Sequence, residues 1–295
     1  MISEFGDMRE RGPLKIASRP CVACGSARQK PYGSLPRGQY LRCTRCGLVC
    51  QDGSVPYEET QQHYEKPNPE WDVESFDDLP YRFRQAPVSV FSKIRQYKSQ
   101  PCAVLDVGCY RGFLLEYFRL QGWADLTGIE PAASAVRFGR ERFGLRLLEG
   151  TLDDYVADEA HGLFDVVLVI QVIEHTPDPA AFLDSVKRVM KPGGILLVEL
   201  PHFGGPNLWF KPLFSTLGLG RAPWHFLDFP KHVFDFPARS FATLLNRRGF
   251  RILEWSVRSK ARETDEPILR AARRVKGRLH WGSTMQFVAD VRRES

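Results

Sequence analysis

Five of the seven cysteines fall between residues 21 and 50, and the other two are Cys102 and Cys109. Four of the five pair as Cys21-x2-Cys24 and, eighteen residues on, Cys43-x2-Cys46. Two such pairs facing one another supply four thiolates, the ligand set of a tetrahedral zinc site. Each pair is followed by glycine, Gly25 and Gly47, which lets the chain turn tightly and aim backbone N–H groups at the sulfurs. Four thiolates leave no position for water or substrate, so the expected zinc is structural. Disulfides are the alternative, disfavoured in a reducing compartment. Cys50 is expected to be a packed thiol rather than a fifth ligand.

A second constellation starts in VLDVGCYRGFLL, where Gly108 and Gly112 bracket a turn between an apolar run and a helical stretch. Glycine there allows backbone to approach a nucleoside, with helix N–H groups pointing at the ligand. The dinucleotide pattern G-x-G-x-x-G is absent, because Tyr110 stands at its second glycine. The next apolar run, LTGIE, ends in Glu130, twenty-two residues after Gly108. A carboxylate at that place can accept hydrogen bonds from both hydroxyls of an adenosine ribose. The plain alternative is an acidic strand end exposed by chance.

These residues must be positioned by regular elements, and the chain alternates them. Strands are expected at CAVLDVG, LTGIE, LRLLEG, DVVLVIQ, ILLVEL, RILEWSV and STMQFVADV. Helices are expected over residues 113–121, 133–142, 180–190 and 240–248. Strands this apolar, separated by helices, indicate a parallel sheet covered on both faces. The fold expected is α/β: a doubly wound, Rossmann-like, seven-stranded, mostly parallel sheet with helices on both faces, plus the small N-terminal zinc ribbon. Residues 1–50 read as the ribbon, 51–100 as a linker and helical cap, and 101–295 as the main domain. In the linker, Val88, Val90, Phe91, Ile94 and Tyr97 fall near helical spacing over residues 87–97. That helix either roofs an active site or only covers core.

Further along, FDVVLVIQVIEHTPDP, a helix, the run Val186-Lys187-Arg188-Val189-Met190-Lys191-Pro192-Gly193-Gly194 and ILLVELP follow in order. Together with the glycine turn and Glu130, they closely resemble class I S-adenosylmethionine-dependent methyltransferases. The nearest branch is similar to the ubiquinone-biosynthesis O-methyltransferase-like group and the zinc-ribbon methyltransferases related to it. The likeness covers about residues 102–250, and the ribbon separately. It implies that Asp106, Gly108 and Gly112 surround the methionine portion of S-adenosylmethionine and that Glu130 holds the ribose. It also implies that Gly150, Thr151, Leu152 and Asp153 flank the adenine, and that Gln171 and the start of residues 172–175 line the methyl-donor end. Some metal-using relatives carry a carboxylate at the place of Gln171, so catalysis here is expected to proceed without a metal.

Methyl transfer is an in-line displacement from an activated donor, so the enzyme mainly aligns the nucleophile and excludes water. A hydroxyl acceptor also needs a base, and histidine suits neutral pH. His175, His202, His225 and His232 follow the strands, where ligands bind in such sheets. His175 belongs to the Glu-His pair after the fourth strand, either as base or as a residue fixing the loop. His202 follows the fifth strand. His232, in FPKHVFDF, is the preferred base. Residues 202–236 are dense in aromatics, glycine and proline and are expected to form a lid and acceptor pocket; a satellite core under a long loop is the alternative.

The composition fits a globular protein, with 43% hydrophobic and 26% charged residues. No run approaches the roughly 18 apolar residues of a membrane helix, and the first fifteen residues lack a signal-peptide core, so a cytoplasmic location is expected. The net charge is +6, but residues 258–278 alone carry eight basic and three acidic side chains, which is +5 and leaves about +1 elsewhere. A solvated helix over residues 267–276 accounts for that run; contact with nucleic acid or an anionic substrate is the alternative. A phosphate-gripping protein would spread its charge over a broad face. The function expected is methyl transfer to a small-molecule acceptor, at a hydroxyl of a metabolite or sugar. Two rivals are an rRNA or tRNA methyltransferase using the ribbon for RNA contact, and a non-catalytic binding protein with this fold. Oligomeric state is not readable from the sequence.

Overall fold

The computed structural model describes residues 19–35, 38–52, 72–158, 162–203, 232–258 and 283–292. The cysteine-rich segment forms three short antiparallel strands, β1 (Gln29–Leu35), β2 (Gly38–Cys43) and β3 (Val49–Gln51). Helix α1 (Tyr81–Ile94) follows, running through Pro87 and starting earlier than the apolar spacing indicates.

The main domain alternates as its hydrophobic pattern requires. It runs β4 (Val104–Val107), α2 (Phe113–Leu120), β5 (Leu126–Glu130), α3 (Ala133–Phe143), β6 (Arg146–Glu149) and α4 (Leu152–Ala157). Next come β7 (Phe164–Ile170), a 3₁₀ turn at Ile173–His175, α5 (Pro179–Arg188) and β8 (Met190–Pro201). The chain closes with β9 (Phe234–Asp235), α6 (Ala238–Arg247), β10 (Phe250–Arg258) and β11 (Thr284–Val291). Strands order as β10-β11-β8-β7-β4-β5-β6, with β4 to β8 parallel and β10 and β11 antiparallel. The seven-stranded, mostly parallel, Rossmann-like sheet is therefore as expected.

Successive side chains of a strand point to opposite faces, and both faces are buried. Leu105, Val107, Val167, Val169, Leu196 and Val198 pack on one side with α5 and α6. Val104, Val166, Leu168 and Leu197 pack on the other with α1 and α2. Ala23 and Leu48 of the ribbon belong to the first of these cores. The ribbon sheet also gains a fourth strand from the main domain, in the order β1-β2-β3-β9. Ribbon and main domain thus share both a core and a sheet, where the sequence suggests a separate module.

The chain leaves β4 in one direction to β5 and β6, then returns to β7 and β8 on the other side. This reversal opens a crevice at the carboxyl ends of β4 and β7, where ligands bind in such sheets. Among the described residues, no helix is long and apolar enough to cross a membrane. His225, most of the 202–236 insertion, the expected helix at 267–276 and nearly all of the basic run lie outside the described residues. Its first member, Arg258, pairs with Glu199 and Ser89 inside the protein.

Candidate active site

The turn after β4 is built on left-handed backbone. Gly108 has φ 74°, and a Cβ there would lie 2.5 Å from Cγ2 of Val172, so glycine is required for the β4 and β7 loops to meet. Tyr110 also takes a left-handed conformation, with φ 49°. A tyrosine thus does what a second glycine would, at a cost of roughly 1–2 kcal/mol. Its N–H donates to Oε2 of Glu130 at 2.9 Å, and its hydroxyl donates to Asp72 Oδ1 at 2.6 Å. Arg111 pairs with Asp72 at 3.0 Å and donates to the Val73 carbonyl. The turn therefore holds the segment preceding α1 close to the end of β5.

A cavity of about 500 Å³ opens here. Asp106, Gly108, Glu130, Gly150, Thr151, Leu152, Asp153 and Gln171 line it, as do Val172, His175 and Asp178. Leu79, Phe83, Ala86, Pro87 and Val90 close it from the α1 side. Because Val90 and Ile94 are also buried in the core, α1 both roofs the cavity and covers the sheet. Gly112 is the exception among the expected cofactor residues, since it does not line the cavity. It precedes α2 at φ 80°, and a Cβ would lie 2.8 Å from Cδ1 of Leu145. Its role is turn geometry and helix packing. Cys109, Tyr110 and Arg111 also line the wall; of these, Cys109 and Arg111 carry no signal in their type or spacing that marks a cofactor residue.

The electrostatics favour a cationic ligand. Asp106 is 3% exposed, and burial, reinforced by the charge of Glu130, pushes its carboxyl up to about 8. Burial also raises Glu130, although the N–H groups of Ala132 and Tyr110 pull it back. Glu130 beside a proton-bearing Asp106 disfavours a pyrophosphate, whereas an ammonium or sulfonium would draw off the Asp106 proton and leave both carboxylates charged against it. Glu130 accepts one N–H on each oxygen, from Ala132 at 3.0 Å and Tyr110 at 2.9 Å, which leaves a lone pair on each for ribose hydroxyls. These residues fit S-adenosylmethionine.

The other end of the cavity carries polar groups from distant parts of the chain. Gln171 has φ 56°, and its N–H donates to the Glu199 carbonyl at 2.7 Å. The following 3₁₀ turn puts Glu174 and His175 side by side, with Nε2 of His175 3.8 Å from Oε1 of Glu174. The His175 and His232 rings meet edge to face at 4.8 Å between centroids. His232 Nδ1 lies 3.5 Å from Oδ1 of Asp235. Glu174 is 1% exposed, and neither of its oxygens has a hydrogen-bond donor among the described residues. Burial pushes its carboxyl up to about 7, opposed by the nearby charge of His232 and reinforced by Asp235 and Glu199.

Of the three histidines inside the described residues, only His175 lines the cavity. His232, the preferred base from the sequence, stands against His175 but outside the wall, so His175 is the histidine that faces the cavity. His202 is half-buried after β8, with its N–H on the Ser283 carbonyl at 2.9 Å, and is not part of the wall. Glu174 is brought into the constellation by the fold. Donor atoms of Glu174, His175 and His232 lie within 4.8 Å of one another, close enough to share a proton or a cation. Gln171 in place of a carboxylate argues against a metal, whereas the fold adds His232, just ahead of β9, to the donors near Glu174 and His175.

At the other end of the molecule, the sulfurs of Cys21, Cys24, Cys43 and Cys46 lie within 4.8 Å of one another, and all four cysteines are buried and free. The Cys21–Cys46 and Cys24–Cys43 sulfurs are 3.6 and 3.5 Å apart. Those spacings approach the ~3.8 Å edge of a tetrahedron with zinc–sulfur bonds of about 2.3 Å. Gly25 and Gly47 take φ 71° and 85°, and each donates its N–H back to the carbonyl of the first cysteine in its pair. The cluster fits a four-thiolate zinc site. Cys50 is outside it; burial pushes its thiol up to about 12.

A family profile described as a methyltransferase domain matches residues 80–254. The chain belongs to that family: it is a class I S-adenosylmethionine-dependent methyltransferase domain. Among curated relatives, it is similar to the ubiquinone biosynthesis O-methyltransferase of Pectobacterium atrosepticum, with 40% identity over 99 residues, 31% of this chain and 39% of that protein. The like-named protein of Cereibacter sphaeroides is 28% identical over 169 residues, 53% of this chain and 67% of that protein. The chain thus spans about two fifths of the length of the Pectobacterium relative. Among solved structures, the 1,6-didemethyltoxoflavin-N1-methyltransferase of Burkholderia thailandensis superposes with a TM-score of 0.51. Its identity is 15%, covering 90% of this chain and 100% of that one. A SAM-dependent methyltransferase from Archaeoglobus fulgidus gives 0.51 at 16% identity, covering 70% and 93%. These likenesses establish the fold.

Proposed function

We propose that the protein transfers a methyl group from S-adenosylmethionine to a hydroxyl of a small, largely apolar acceptor held beneath α1. The observation carrying this reading is that one cavity joins the Asp106–Glu130 wall to the His175 wall. When bound, S-adenosylmethionine supplies a methyl group already activated by its sulfonium. Glu130 holds the ribose and Asp106 faces the cationic end, while Leu152 and Asp153 flank the base. Leu79, Phe83, Pro87 and Val90 exclude water and give the acceptor an apolar bed. His175 takes the hydroxyl proton, and Glu174 stabilises the imidazolium that results. His232 and Asp235 hold the pair in place from outside the wall. The names of the curated relatives support oxygen as the methylated atom.

The same donors favour a second reading, in which a divalent cation on Glu174, His175 and His232 lowers the acceptor's pKa. Full activity in excess chelator, with the ribbon zinc retained, excludes it. The primary test is transfer of labelled methyl to phenolic and sugar hydroxyls, with tRNA and rRNA fragments in parallel. His175→Ala is expected to lower kcat by about 10²–10⁴-fold, with the cofactor's Kd within twofold. Labelling of RNA alone would reverse the choice of acceptor. Failure of the chain to bind S-adenosylmethionine would remove the enzymatic reading and leave the binding protein.

A further inference from the structure

Residues 232–236 run between two parts of the molecule that the sequence keeps far apart. On one side, β9 pairs antiparallel with β3 of the ribbon, Val49 opposite Asp235 and Cys50 opposite Phe234. The bond series continues with Gln51 N–H donating to the Val233 carbonyl at 2.9 Å. The Gln51 side chain donates to the carbonyl of His232 itself, at 2.7 Å. On the other side, Val233 N–H donates to the Glu174 carbonyl at 2.9 Å. His232 is thus pinned by its own backbone to the ribbon, and by its neighbour's backbone to the turn that carries Glu174 and His175.

Strand β3 is in turn placed by the cysteine knuckle. Cys43 ends β2, Cys46 follows it, and Cys43 N–H donates to the Leu48 carbonyl at 2.8 Å. Leu48 and Val49 are fully buried. A three-residue strand paired with a two-residue strand has little stability of its own. Strand β3 takes its register from β2, through the pairs Tyr40–Gln51, Leu41–Cys50 and Arg42–Val49, and the cluster ties the turn between these two strands at Cys43 and Cys46 to the first knuckle at Cys21 and Cys24. The cofactor wall hangs on β4 and β5, which make no ladder with the ribbon.

We infer that zinc in the Cys21–Cys24–Cys43–Cys46 site acts as a brace for the acceptor half of the active site, holding His232 against His175 through the β3–β9 pairing. His232 and Gln51 are positioning residues in this scheme. The inference rests on the zinc reading of the cysteines, and its catalytic consequence rests on the proposed methyl transfer.

The test measures amide hydrogen exchange of residues 232–236 in the full chain, zinc-loaded and after removal of the metal with a chelator and a thiol reagent. Exchange there should speed up at least tenfold without zinc and return on reloading, while the Kd for S-adenosylmethionine changes less than twofold. Gln51→Pro keeps all four ligands and deletes the donor to Val233. It should retain one zinc per chain and normal cofactor binding, yet show the same rapid exchange and a kcat at least tenfold lower at unchanged cofactor KM. Protection of 232–236 that survives zinc removal overturns the brace. If removal unfolds the whole domain, Gln51→Pro decides, and normal protection in that variant overturns it. Coupled exchange in a protein that methylates no acceptor leaves the brace standing and removes the transfer reading instead.

Discussion

Replacing Glu130 by alanine is expected to weaken S-adenosylmethionine binding by two to four orders of magnitude while leaving the domain folded. Each carboxylate oxygen already accepts one backbone N–H, from Ala132 and Tyr110. The two remaining lone pairs match two ribose hydroxyls. Hydrogen bonds to a charged group are worth about 1.5–3 kcal/mol each, so losing both costs about 3–6 kcal/mol. At about 1.4 kcal/mol per decade, that is roughly 10²–10⁴ in Kd. Two opposing effects act on the unliganded fold. The Tyr110 and Ala132 N–H groups lose their acceptor, at about 1–3 kcal/mol each when buried, while Asp106 is freed from a neighbouring negative charge. The net loss of stability should therefore stay below what unfolds a domain of this size. Glu130→Gln keeps the volume but sets an amide NH₂ against one of the backbone donors, so it should bind nearly as poorly. Calorimetric titration of the zinc-loaded chain reads Kd, and thermal melting reads the fold. A folded Glu130→Ala protein that binds within threefold of the native chain would refute the assignment of the ribose site.

Three further outcomes follow from the same geometry. Burial and Glu130 raise Asp106 from 3.8 to about 8, so its stabilising contribution is complete below pH 3.8 and is lost as pH rises through 8. A cationic cofactor draws that proton off, so between these values its affinity should rise with pH; calorimetry in buffers of differing ionisation enthalpy should show net proton release, and none would count against the Asp106 role. Gly112→Ala forces a Cβ into left-handed backbone, 2.8 Å from Leu145, and should cost about 2–3 kcal/mol in urea unfolding; a loss under 0.5 kcal/mol would show that the turn relaxes freely. Arg258→Ala strips Glu199 of its cation and, among the described residues, leaves only Gln286 bonded to that carboxylate. With Arg258 one-third exposed, the expected loss is about 1–3 kcal/mol, largely restored in the Arg258→Ala/Glu199→Gln double variant.

Features whose signal is local are legible in the chain alone. The two Cys-x2-Cys knuckles, the glycine turn after β4, Glu130 at the end of β5 and the apolar strands are set by spacing or periodicity within a few residues. The structure forms each of these elements, and even the tyrosine in the second glycine position adopts the left-handed backbone that the turn demands. What lies between distant segments leaves no such imprint. The meeting of His175 with His232, the arrival of Asp72 on Tyr110 and the roofing of the cavity by α1 depend on how elements pack. So does the addition of β9 to the ribbon sheet, which ties an apparent appendage to the segment that carries His232. Gly112 illustrates the limit in reverse: its place beside Gly108 in the turn suggested ligand contact, whereas tertiary packing against Leu145 gives it a structural role. A residue's type and spacing state what chemistry it can do. Which cavity it reaches is decided by the burial of apolar surface that brings remote strands together.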